Sequence, residues 1–115
     1  MVRNYKWNVD KNMCENKIKD SIMKIILNND NFINLHILVD ILNNDKSFNF
    51  RYENKQKTVT NFLKSNYKGI INFLKIFDEF IILEKNKNIY LSINNKEEIF
   101  QEFDGWLFIN KTNLV

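Results

Sequence analysis

Residue types that carry out covalent chemistry are scarce in this chain. His36 is the single histidine and stands between Leu35 and Ile37, with no second imidazole to share a metal or a proton. Cys14 is the single cysteine, so neither a disulfide within the chain nor a zinc-holding thiolate cluster can form. Neighbouring carboxylates occur at Asp78-Glu79 and Glu97-Glu98, but adjacent acids at a helix end are usually solvated. Neither pair has a nucleophile elbow, a glycine-rich phosphate loop or metal-ligand spacing beside it. The expectation is a non-enzymatic protein with no metal and no cofactor.

Lysines and aromatics offer a different chemistry. Between Lys46 and Lys75 lie seven cations, Lys46, Arg51, Lys55, Lys57, Lys64, Lys68 and Lys75, against the one acid Glu53; this stretch carries +6 while the rest of the chain sums to −3. The total of +3 says less. The chain has no alanine, no proline and two glycines, and asparagine, lysine and isoleucine make up 52 of its 115 residues. The scarce residues have GC-rich codons, so the lysine excess is the imprint of an AT-rich genome. That bias raises lysine everywhere, but it does not clear acids from one stretch. The segregation marks an electropositive face. Lysines there neutralise phosphates without regard to sequence, and Tyr52 and Tyr67, within or beside the stretch, can stack unpaired bases if exposed. The plainer alternative is a solvated face whose tyrosines cover the core.

At 115 residues the chain makes one domain and buries roughly two-thirds of its unfolded surface. Its apolar content of 44%, with ten phenylalanines, excludes intrinsic disorder. The N-terminus lacks an apolar h-region and no apolar run reaches membrane-spanning length. The expectation is a soluble, intracellular protein of a reduced compartment, most simply the cytoplasm, with no membrane partner.

Apolar periodicity gives the elements. Residues 1–14 read as an arm in which Tyr5, Trp7 and Val9 alternate, packing its aromatic side on the domain. A first helix runs from Glu15 to Asn28 with Ile18, Ile22, Ile25 and Ile26 inward. Phe32-Ile33 is a short extended piece, and Asn34 caps a second helix from Leu35 to Leu42. Lys46 to Gln56 reads as a loop, although Phe48, Phe50 and Tyr52 alternate. Thr58 caps a third helix through Ser65, Gly69 permits a bend, and Ile70 to Phe77 is helical; whether these are one helix or two is left open. Phe80–Leu83 and Ile89–Ile93 form a hairpin around a five-residue turn from Glu84 to Asn88.

This order is that of an α+β winged helix, with three to four helices and a C-terminal two-stranded β-wing, over residues 15–93. Residues 94–115 add an extension: a short helix near 97–103 and a strand-like run from Trp106 to Ile109. Phe100, Phe103, Trp106 and Phe108, with Ile99, form an apolar set too large to leave in water, so it completes the core or docks on a protein partner. In a winged helix the third helix and the wing meet nucleic acid, which adds Lys85 and Lys87 to the candidate contacts Arg51, Lys55, Lys57, Lys64, Tyr67, Lys68 and Lys75.

The run Asn31-Phe32-Ile33-Asn34-Leu35-His36-Ile37-Leu38, followed by Gly69-Ile70-Ile71-Asn72-Phe73-Leu74-Lys75 and by Phe80-Ile81-Ile82, resembles the LOTUS (OST-HTH) and Egalitarian-type winged helices. The resemblance covers about residues 15–93 and rests on apolar spacing and one glycine. It implies a non-catalytic module that binds nucleic acid, RNA ahead of DNA. In some members an added C-terminal helix binds a helicase, and residues 97–103 stand in that place. The chain departs from the family in lacking the alanines and glycines usual near the first helix. The rival expectation is an adaptor or a subunit of a larger assembly, in which the basic face is incidental.

Overall fold

The computed structural model describes Trp7, residues 9–93 and residues 105–109. Helix α1 spans Lys11–Leu27 and is followed by strand β1, Ile33–Asn34, and helix α2, Leu35–Asn43. A hairpin of β2, Phe50–Tyr52, and β3, Lys55–Lys57, precedes helices α3, Val59–Tyr67, and α4, Ile70–Leu74. Strands β4, Phe80–Lys85, β5, Asn88–Ile93, and β6, Leu107–Phe108, complete the described elements. Among the described residues the result is a mixed α+β architecture with four helices and antiparallel sheets.

Local chemistry accounts for the boundaries. The Asp10 carboxylate accepts from the N–H groups of Asn12 and Met13, so α1 begins ahead of the expected Glu15 and takes up the end of the supposed arm. Asn34 caps α2 by accepting from the His36 N–H at 2.7 Å. Thr58 and Asn61 close a reciprocal capping box on α3. Lys68 in the left-handed region and Gly69 at φ +126° separate α3 from α4, so the stretch is two helices. The second of them stops at Leu74, short of Phe77.

Two hairpins differ from expectation. Lys46 to Gln56 is not simply a loop: the Phe48, Phe50, Tyr52 alternation is a strand signal, and Glu53 and Asn54 at φ 55° and 70° supply a two-residue turn. No glycine announced that turn. The β4–β5 turn is likewise two residues, Asn86 and Lys87 at φ 54° and 70°, because Glu84 pairs with Ile89 and Lys85 with Asn88.

Strand order in the larger sheet is β1-β5-β4-β6. On the helix side, Phe80, Ile82, Leu91 and Ile33 join Ile18, Ile22 and Ile26 of α1, Leu38 and Leu42 of α2, Phe62 and Leu63 of α3 and Phe73 and Leu74 of α4. On the outer side, Ile81 and Leu83 are fully buried beneath Phe32, Tyr90, Trp106 and Phe108. That explains the unbroken apolar run of β4: the strand is covered on both faces. Asn31, at φ 61°, ties the loop before β1 to the end of β5, its side-chain oxygen accepting from the Ile93 N–H at 2.8 Å. Its carbonyl accepts from the hydroxyl of Ser92, which is buried.

The expected helix near 97–103, with Phe100 and Phe103, lies outside the described residues, as does Tyr5. Among the described residues no helix is long and apolar enough to cross a membrane.

Candidate nucleic-acid interface

The segment from the β2–β3 hairpin through α3 gathers part of the cationic set. Val59, Phe62 and Leu63 turn α3 inward. Asn61, Lys64 and Ser65 therefore share its outer stripe, with Lys68 one turn beyond, and all four are exposed. Phe50 pairs across the hairpin with Lys57 and Tyr52 with Lys55, so these four side chains leave the same hairpin face. Phe50 anchors that face to α3, its ring stacked 4.7 Å from Phe62 and 5.7 Å from Phe48.

Trp7 completes the arrangement. Its backbone bridges to Tyr52 and its indole N–H donates to the Ser65 hydroxyl at 3.2 Å. The indole ring lies 5.0 Å from Tyr52 and stands edge-on to Phe62 at 5.2 Å. Trp7, Tyr52, Lys57, Asn61 and Ser65 line an open recess of about 170 Å³. Lys57 also borders a larger recess of about 490 Å³ that includes Lys46, Asn49, Gln56 and Thr58.

The electrostatics of this face are one-sided. Among the described residues, none of Lys55, Lys57, Lys64 and Lys68 has a carboxylate partner; the ion pair of Lys19 with Glu79 at 2.8 Å lies elsewhere. The N-terminus of α3 is not an anion site, because Asn43 Oδ1 accepts from the Thr60 N–H and Thr58 Oγ1 from the Asn61 N–H. Phosphate contacts here would come from lysine side chains. A recess of about 680 Å³ between α1 and α2 carries Asp40 and Asp45 beside Lys24, the wrong balance for a phosphate. Asp45 is held well ionised: the Ser47 backbone N–H and hydroxyl both donate to its carboxylate and lower its pKa.

Other sequence candidates are dispersed. Arg51 leaves the opposite hairpin face and donates to the Asn54 carbonyl at 3.3 Å. Lys75 is exposed at the end of α4. Lys87 is exposed in the β4–β5 turn, and Lys85 at the end of β4 stands 4.9 Å above the Trp106 ring. Tyr67 is half-buried rather than presented: its hydroxyl donates to Glu15 at 2.8 Å, its ring meets Phe73 edge-on at 4.9 Å, and Lys11 covers that ring. Burial and the Glu15 carboxylate raise its pKa.

Trp106 and Phe108, candidates for a partner surface, are occupied within the chain. Trp106 stands edge-on to Phe32 at 5.7 Å and to Tyr90 at 5.3 Å, and Phe108 pairs with Leu83 as β6 joins the sheet. His36 is exposed, burial raises the pKa of the Cys14 thiol, and no cluster of potential metal ligands occurs among the described residues.

Trp7, Asn61 and Ser65 are the site residues that reading by charge passes over. The arm alternation places Trp7 on the domain, and helical spacing from Lys64 and Lys68 would have brought in Asn61 and Ser65. No family model, no curated protein and no solved structure matches the chain.

Proposed function

We propose that the chain is a non-enzymatic winged-helix module that binds nucleic acid through the outer stripe of α3 and the adjoining face of the β2–β3 hairpin. The order of elements supports the winged-helix reading. One helix precedes β1, helices lie between β1 and the β4–β5 hairpin, and β5 sits between β1 and β4. The β2–β3 hairpin is then an insertion ahead of the third helix. RNA is placed ahead of DNA by the likeness of residues 31–38, 69–75 and 80–82 to OST-HTH domains.

The observation that carries the binding reading is the set Lys55, Lys57, Lys64 and Lys68, cations without carboxylate partners among the described residues, on adjoining surfaces of one helix and one hairpin. Their mechanism is neutralisation of the phosphate backbone with release of its counterions.

Fluorescence anisotropy of a labelled mixed-sequence strand, titrated at several salt concentrations, tests this. Four lysine contacts give a log–log slope of about −3 on single strands. The Lys64→Glu/Lys68→Glu double variant should lose the binding and flatten the slope. Salt-independent affinity, or unchanged affinity in that variant, would favour the adaptor reading. That reading has its own support in Ile37 and Ile41, exposed one turn apart on α2.

A further inference from the structure

Charge alone does not distinguish a duplex from a single strand, but the recess beside the lysines does. Its walls are the half-buried rings of Trp7 and Tyr52, and its rim carries Lys57, Asn61 and Ser65. At about 170 Å³ it has room for one heteroaromatic ring system, not for the stacked edge of a double helix. Its polar groups are suited to a base. The Ser65 hydroxyl accepts from Trp7 and keeps its own proton to donate. Asn61 engages the α3 cap through Oδ1, which leaves its Nδ2 amide outside that cap.

The cation positions fit the same geometry. Lys57 lies on the hairpin side of the recess rim, and Lys64 and Lys68 lie along α3 on the stripe that carries Asn61 and Ser65. A strand whose base enters the recess therefore has its phosphates carried past ammonium groups on both sides. In a duplex every base is stacked and paired, so this contact is closed to it without the cost of flipping a base out.

We infer that the Trp7–Tyr52 recess receives one unpaired base, making the chain a single-strand binder that discriminates against duplex. This rests on the nucleic-acid reading of the same face. Base specificity is weak, because stacking accepts any base.

The chain has two tryptophans, so Trp106→Phe leaves Trp7 as the sole indole reporter. This variant is titrated with a mixed-sequence 12-nucleotide RNA, its DNA counterpart, the duplex of each, and an RNA of the same length lacking bases but retaining phosphates. The expected result is quenching of Trp7 emission by both single strands and little by the duplexes or the abasic strand. Single strands should bind about tenfold or more tightly than duplexes. Tyr52→Ala should reduce single-strand affinity by roughly 5- to 100-fold while leaving duplex affinity unchanged, and circular dichroism of each variant reports its fold. The RNA and DNA arms distinguish the sugar preferred. Equal single-strand and duplex affinity, with Trp7 emission unchanged and Tyr52→Ala neutral, overturns the recess but keeps the lysine face. Absence of binding to every probe at low salt overturns both.

Discussion

Two surfaces of this molecule are built from the same materials. On one, Trp7 and Tyr52 share a recess with Lys57, Tyr52 pairs with Lys55, and Lys64 and Lys68 lie on the α3 stripe that carries Asn61 and Ser65; on the other, Trp106, Phe32 and Tyr90 stand beneath Lys85. The second is a lid. Its aromatics pack on one another and seal Ile81 and Leu83, and its lysine lies against an indole face. The first leaves cations without carboxylate partners among the described residues, one of them, Lys57, at an open recess. An aromatic–lysine cluster therefore has no meaning by composition alone. What separates the two is whether the rings cover apolar side chains that would otherwise meet water.

The largest effect expected from breaking this contrast is at the lid. Leu83→Ala removes a fully buried side chain from the outer face of β4 and should cost about 2–5 kcal/mol in chemical denaturation. Stability within 1 kcal/mol of the wild type would mean that the outer face is not core, and the partner role of Trp106 and Phe108 would regain its case. Gly69→Ala comes next, at roughly 1–3 kcal/mol, although nothing lies within 4 Å of the added methyl. The cost is conformational: φ +126° and ψ 164° belong to a region that only glycine occupies readily. This turn orients the end of α3 that carries Lys68. A neutral substitution would show that the α3–α4 turn adapts without strain.

The sequence was informative where local chemistry repeats. The apolar faces of α1 and α2, the caps at Asn34 and Thr58, the break at Gly69 and the pairing of β4 with β5 all follow from spacing and residue type. It was less exact about turns that carry no glycine. Glu53-Asn54 and Asn86-Lys87 adopt positive φ because the paired strands on either side require it, and neither contains glycine. Charge segregation likewise named the cations but not which of them share a surface. Facing is set by the register of β2 with β3, which sends Arg51 to the side opposite Lys55 and Lys57. Nor does sequence distance say that Trp7 meets Ser65, a contact between residues far apart along the chain.

Tyr67 sharpens the distinction between presented and structural tyrosines. Its hydroxyl donates to Glu15, and burial with that carboxylate raises its pKa above the usual tyrosine value. The unfolded chain releases this proton at about pH 10. The associated stability is therefore fully present below pH 10 and is lost as the pH rises through the higher folded-state pKa. Ultraviolet titration should show Tyr67 ionising above the usual tyrosine value. Tyr67→Phe should cost about 1 kcal/mol at neutral pH and remove that alkaline dependence. A Tyr67 that ionised near pH 10 in the folded state would instead be a presented ring, available to a base.

The smallest expected effect is the most discriminating. Lys64→Glu/Lys68→Glu exchanges two exposed ammonium groups that have no carboxylate partner among the described residues, so their removal breaks no ion pair there. Exposed charges of this kind each contribute well under about 1 kcal/mol, and here the sign should be near zero or favourable, because the substitutions relieve repulsion within a like-charged patch. Lys19→Ala is the matched contrast: it breaks the half-buried pair with Glu79 and uncovers the Phe77 ring beneath the ammonium group. It should lower the melting temperature measurably while leaving nucleic-acid affinity untouched. A double glutamate variant that melted earlier than Lys19→Ala would mean that Lys64 and Lys68 hold the fold together. The basic face would then be no more a binding surface than the Trp106 lid.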